Sequence, residues 1–135
     1  KTKKICLYVG PCHPLYHEQS VDFSELQELK FVRGVRDFFS MEHHLETVSM
    51  GVIDTKDLNH AAYTNSDHLT VNLLLYTDVC SLGLDFMYEP YSQYDLKALP
   101  INGCEPFLQV GYVKDPARIL SRQAEWILEK FHRML

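Results

Sequence analysis

The densest group of reactive side chains is Cys12-His13-Pro14-Leu15-Tyr16-His17. A thiol beside an imidazole has the composition of a nucleophile and its base. Cys12, His13 and His17 could also offer soft ligands to zinc. The spacing weakens both readings. Adjacent loop residues rarely orient a thiolate and its base together, and catalytic pairs are usually distant in sequence. Pro14 restricts His13 to extended conformations, which hinders wrapping around one ion. A fourth ligand, such as Cys104 or His43, has no fixed place. The expectation is therefore a loop with surface histidines and no stoichiometric zinc.

Other candidates for chemistry are similarly bland. His43-His44, His60 and His68 fall on polar segments and read as solvated. Asp78, Asp85 and Glu89 could supply paired carboxylates, but Asp85 lies between Leu84 and Phe86 and so points to the face opposite the apolar set. Asp54, Asp57, Asp67 and Asp78 read as turn and cap residues. The chain has no Gly-x-Gly-x-x-Gly, phosphate loop, Gly-x-Ser-x-Gly or His-Glu-x-x-His. No cofactor is expected.

Tyr88-Glu89-Pro90-Tyr91-Ser92-Gln93-Tyr94-Asp95 differs in kind. Its tyrosines recur every third residue in a segment that Pro90 makes irregular. Tyrosine supplies contact area with little entropy to lose, and Glu89 and Asp95 would steer a basic partner. The expected partner-binding residues are Tyr88, Glu89, Tyr91, Tyr94 and Asp95, with the Tyr91 and Tyr94 rings largely exposed. The competing readings fold these tyrosines over the core edge or use them to stack a carbohydrate or another ligand.

The elements that must position these residues follow from periodicity. Leu69, Val71, Leu73 and Leu75 alternate with Thr70, Asn72, Leu74 and Tyr76, and alternation resumes from Cys80 to Tyr88. A period of two predicts an antiparallel hairpin buried on one face. Strands are also expected at Lys4 to Val9, Thr47 to Asp54 and Phe107 to Val113. A helix should begin near Phe23. Residues 31–39 are ambiguous, 55–67 read as a loop with a short helical turn at Asp57 to Ala62, and 91–106 as an irregular connection. Asp115 and Pro116 signal the start of a C-terminal helix, whose stripe is Ala117, Leu120, Ala124, Ile127, Leu128, Phe131 and Leu135. The predicted fold is α+β: one domain over 1–135, with a four- or five-stranded, mainly antiparallel sheet and the C-terminal amphipathic helix packed on one face.

Composition bounds the function classes. A chain of 135 residues with 46% apolar and 23% charged residues is ordinary for one globular domain. No apolar run approaches the ~20 residues needed to span a bilayer. Lys1-Thr2-Lys3-Lys4 is basic, but the apolar run from Ile5 stops at Gly10-Pro11, too short for a signal-peptide core. Four widely spaced cysteines read as reduced thiols in the cytoplasm. The net charge of −5 disfavours nucleic acid and favours a basic partner, or none.

These features predict a non-enzymatic protein-binding domain. Small acidic α+β domains are similar in general character to bacterial immunity proteins. That likeness implies an inhibitor or antitoxin that neutralises a basic toxin domain such as a nuclease. The alternatives are a small enzyme or metal-binding protein using Cys12, His13 and His17, or an accessory subunit of a larger assembly.

Overall fold

The computed structural model describes residues 1–35, 41–54, 56–106 and 108–134. The strands are β1 (Thr2–Lys3), β2 (Ile5–Val9), β3 (Lys30–Arg33), β4 (Asn59–Tyr63), β5 (Val79–Leu84), β6 (Lys97–Pro100) and β7 (Leu108–Gln109). The helices are α1 (Phe23–Leu26), α2 (Met41–Val48), α3 (Asp67–Tyr76) and α4 (Arg122–Met134). Short 3-10 turns occupy Pro14–His17, Asp85–Met87 and Glu89–Tyr91.

The main sheet has five strands in the order β4-β3-β5-β2-β6. The α+β class holds, and the pairing is mixed. β2 runs antiparallel to β5 and β6, whereas β3 runs parallel to both β4 and β5. β1 and β7 form a separate antiparallel pair.

Strand β2 explains the layering. Ile5, Leu7 and Val9 join a core cluster with Leu26 of α1 and Leu45 of α2. Cys6 and Tyr8 point the other way, into a cluster with Val71 and Leu74 of α3. All five β2 residues are buried because helices cover both sheet faces. Tyr8 requires room: a Cβ on Gly83 would sit 2.3 Å from its ring, and its hydroxyl donates to the Leu84 carbonyl at 2.7 Å. Gly10 likewise admits α3, since a Cβ there would lie 1.8 Å from the Leu74 carbonyl oxygen.

The expected hairpin over 69–88 is half right. Its second arm is β5, but its first arm is helix α3. Apolar residues at 69, 71, 73, 74 and 75 satisfy a period of two and also a helical face, with Val71 and Leu74 buried. Local signals decide the matter. The Ser66 hydroxyl accepts from the Leu69 N–H, Asp67 occupies the first turn, and leucine is a strong helix former. The expected strand over 47–54 is also corrected. Residues to Val48 end helix α2, and Met50 (φ 52°) and Gly51 (φ 83°) reverse the chain.

The loop expected over 55–67 contains edge strand β4, whose residues alternate in exposure as His60 and Ala62 turn inward. Its small and polar residues carry no β signature; pairing with β3 makes it a strand. The irregular 91–106 region likewise contains β6, the opposite edge. Of the expected strand over 107–113, the described residues 108–109 alone form a ladder.

The C-terminal helix begins later than expected. Asp115 accepts from the Ala117 N–H in an isolated turn, and Ser121 accepts from the Ala124 N–H where α4 starts. Ala124, Leu128 and Phe131 are half-buried, while Trp126 and Ile127 are exposed. Near its end, the Lys1 ammonium donates to the His132 carbonyl at 3.1 Å.

Candidate ligand-binding site

Two β-α-β crossovers converge at one edge of the sheet. Strand β3 leads toward α2 and β4 leads into α3, so the carboxyl ends of two parallel strands meet the amino ends of two helices. Open sheets of this kind bind ligands in the crevice outside their carboxyl edge. A crevice of about 270 Å³ lies there. Arg33 ends β3 and Gly34 follows it, Thr64 and Asn65 follow β4, and Asp67 and Thr70 come from α3. Ser81 of β5, Glu42 of α2 and Tyr91 complete the polar lining.

The crevice walls are fixed by their own hydrogen bonds. Thr64 N–H donates to the Arg33 carbonyl at 2.8 Å, and Val35 N–H donates to Asn65 Oδ1 at 2.9 Å. Ser66 N–H donates to Thr64 Oγ1 at 3.0 Å. The loops after β3 and β4 are therefore tied together, and a ligand here meets prepositioned groups. Beneath them sits a charged cluster. Glu42, only 6% exposed, lies 3.1 Å from Arg33 Nη1 and 2.8 Å from His60 Nε2. A carboxylate so buried is tolerated because cationic and hydrogen-bonding partners compensate its lost water.

A second, larger cleft of about 830 Å³ abuts the first, sharing Asp67 and Tyr91. It is lined by His68 and Val71 of α3, by residues from Phe86 to Tyr94, and by Arg133 of α4.

The structure distributes the expected interaction residues rather than presenting them as one patch. Tyr91 is half-buried against the Tyr8 ring, with centroids 5.3 Å apart, so the expectation of a largely exposed ring there is corrected. Tyr94 is 41% exposed. Tyr88 packs on Tyr8 and donates its hydroxyl to the Leu96 carbonyl. Asp95 accepts from the Tyr16 hydroxyl. Glu89, Tyr91 and Tyr94 come together in the larger cleft, and Tyr88 and Asp95 stay outside it.

Cys12, His13 and His17 do not converge. The Cys12 thiol faces the Leu75 carbonyl at 3.5 Å, and His17 is exposed. His13 is not a surface histidine. It is 3% exposed, its Nδ1 accepts from the Leu15 N–H at 3.1 Å, and its Nε2 is buried without a hydrogen-bond partner among the described residues. Burial lowers its pKa below the ordinary value, and the nearby Asp78 charge opposes that shift. Asp85 is also not simply solvated: its Oδ1 is buried and unpartnered. Among the described residues no group of three or more His, Cys, Asp or Glu is placed to hold a metal ion. The four cysteines are free, and burial first, then the Asp85 charge, pushes the Cys6 thiol up to about 12.

Sequence reasoning missed Arg33, Glu42, Thr64, Asn65, Thr70 and Ser81. The available signal was Thr64-Asn65-Ser66-Asp67, a turn that caps a helix directly after a short segment.

No family model and no curated protein matches the sequence. Solved structures do share the fold. The effector-binding domain of QuiR, in complex with shikimate, superposes with a TM-score of 0.59 at 17% identity, covering 98% of this chain and 63% of that one. HinK, a LysR family transcriptional regulator from Pseudomonas aeruginosa, gives 0.65 at 12% identity, covering 96% and 44%. The regulatory domain of CcmR from Synechocystis, in complex with 2-PG, gives 0.58 at 9% identity, covering 97% and 62%. The chain thus spans less than two thirds of each.

These likenesses overturn the immunity-protein expectation. The fold is that of effector-binding domains of regulators, not of a toxin inhibitor or antitoxin, and nothing points to a basic toxin domain as partner. Small size, acidic composition, the α+β class and the lack of catalytic motifs had carried that reading, and net charge reports solubility and association rather than fold. No described helix is long and apolar enough to cross a membrane.

Proposed function

We propose that this chain is a non-enzymatic, small-molecule-binding module of a cytoplasmic transcriptional regulator. The observation that carries the reading is the polar crevice at the carboxyl edge of β3 and β4, flanked by the amino ends of α2 and α3. QuiR and CcmR, which share the fold, were solved with shikimate and 2-PG. The ligand expected here is a small, hydroxyl-bearing organic acid. Thr64, Asn65, Thr70 and Ser81 would bind its hydroxyls, and the Arg33 side of the crevice its carboxylate. A volume of about 270 Å³ sits just below the ~300–1,000 Å³ usual for ligand pockets, which favours a compact ligand.

A thermal-shift series tests this. Shikimate, quinate and short hydroxy acids are each added at millimolar concentration. A ligand present at 100 times its Kd stabilises by about 2.7 kcal/mol, a shift of several degrees. Ser81→Leu, which fills the crevice, should abolish the shift. A series in which no compound raises the Tm, or in which Ser81→Leu responds like the parent, removes the proposal.

A further inference from the structure

The larger cleft differs in chemistry from the crevice. Phe86, Met87, Tyr91 and Tyr94 give it an aromatic and apolar wall opposite Val71 of α3. Its volume of about 830 Å³ falls well inside the range of small-molecule sites. Two carboxylates, Asp67 and Glu89, line it, and neither makes a side-chain hydrogen bond or ion pair with a described residue. The two basic residues of the lining are Arg133, which pairs with Glu129, and His68, whose Nε2 lies 3.1 Å from Asn72 Nδ2.

We propose that this cleft binds a small organic cation carrying an apolar or aromatic group. A ligand entering meets the carboxylates of Asp67 and Glu89 and the rings of Tyr91 and Tyr94, which attract cations; the Lys3 ammonium lies 5.5 Å from the Phe86 ring, and Arg133 is paired with Glu129. Aromatic walls with nearby carboxylates suit an ammonium in particular, because the rings replace part of its water while the carboxylates hold its charge. Asp67 and Tyr91 both line the cleft, and burial, with the Asp67 charge adding to it, raises the Tyr91 pKa.

The probe is benzyltrimethylammonium, with benzyl alcohol and benzoate as neutral and anionic controls. Binding to the full chain is followed by backbone amide shifts. The cation should bind at least about tenfold tighter than benzyl alcohol, and benzoate should be weakest. The shifts should centre on Met87, Glu89 and Tyr94. Tyr94→Ala should weaken binding by about tenfold. The double change Asp67→Asn, Glu89→Gln removes charge from exposed positions, leaves the core intact, and should erase the preference for the cation. The proposal is overturned if none of the three probes binds, if benzoate binds as well as the cation, if the double variant keeps the preference, or if the shifts fall on Thr64 and Ser81 instead.

Discussion

At the residue scale, buried charge and buried imidazole dominate. Glu42 depends on Arg33 and His60 for compensation. Arg33→Met should leave the carboxylate underpaired and cost about 3 kcal/mol, read as a lower urea midpoint at unchanged m. His13 makes the opposite demand. Its folded-state pKa is lowered, so the unfolded chain binds the proton more readily. Stability should therefore be complete above the ordinary histidine pKa of ~6.5 and fall as pH drops below it, levelling only under the folded-state value. Thermal unfolding followed from pH 8 to pH 5, before and after His13→Gln, checks the sign. The variant should flatten that limb of the profile. Neither site was legible in the sequence, because burial of a polar side chain is decided by what packs over it. His13 is read correctly as a loop residue, yet the loop is folded inward on α3.

At the element scale, α3 is the informative case. Leu69, Val71, Leu73 and Leu75 suit either period, and Ser66 decides by accepting the Leu69 N–H. Ser66→Ala should cost about 1 kcal/mol, measured by chemical denaturation, and a loss well under half of that would make packing the main determinant of this helix. Gly83→Ala makes a harder test of the sheet. The added methyl would collide with the Tyr8 ring inside a packed face, and overpacking of this kind costs about 1–3 kcal/mol. Strands β2 and β5 were legible because their alternating apolar residues serve two buried faces. Strands β4 and β6 were not, because edge strands built from Asn59, His60, Ala61 or Pro100 owe their state to the neighbour they pair with.

For the whole molecule, the key relation is between topology and site. Once 67–76 is a helix rather than a strand, the chain contains β-α-β crossovers and the sheet must hold parallel strands. A parallel pair has a carboxyl edge, and the crevice lies on it. An antiparallel hairpin in the same place would offer no such edge, and the tyrosine spacing and acidic charge then pointed to a surface patch and a protein partner. In the tyrosine segment, Glu89, Pro90, Tyr91, Gln93 and Tyr94 line a cleft rather than a flat interface.

The central claim is that a compact organic acid binds at that carboxyl edge. The most direct measurement is a backbone amide map of the best compound from the thermal-shift series. Saturable shifts are expected at Gly34, Thr64, Asn65, Thr70 and Ser81, and they should vanish in Ser81→Leu. Shifts confined to other surfaces, or unchanged in that variant, would contradict it.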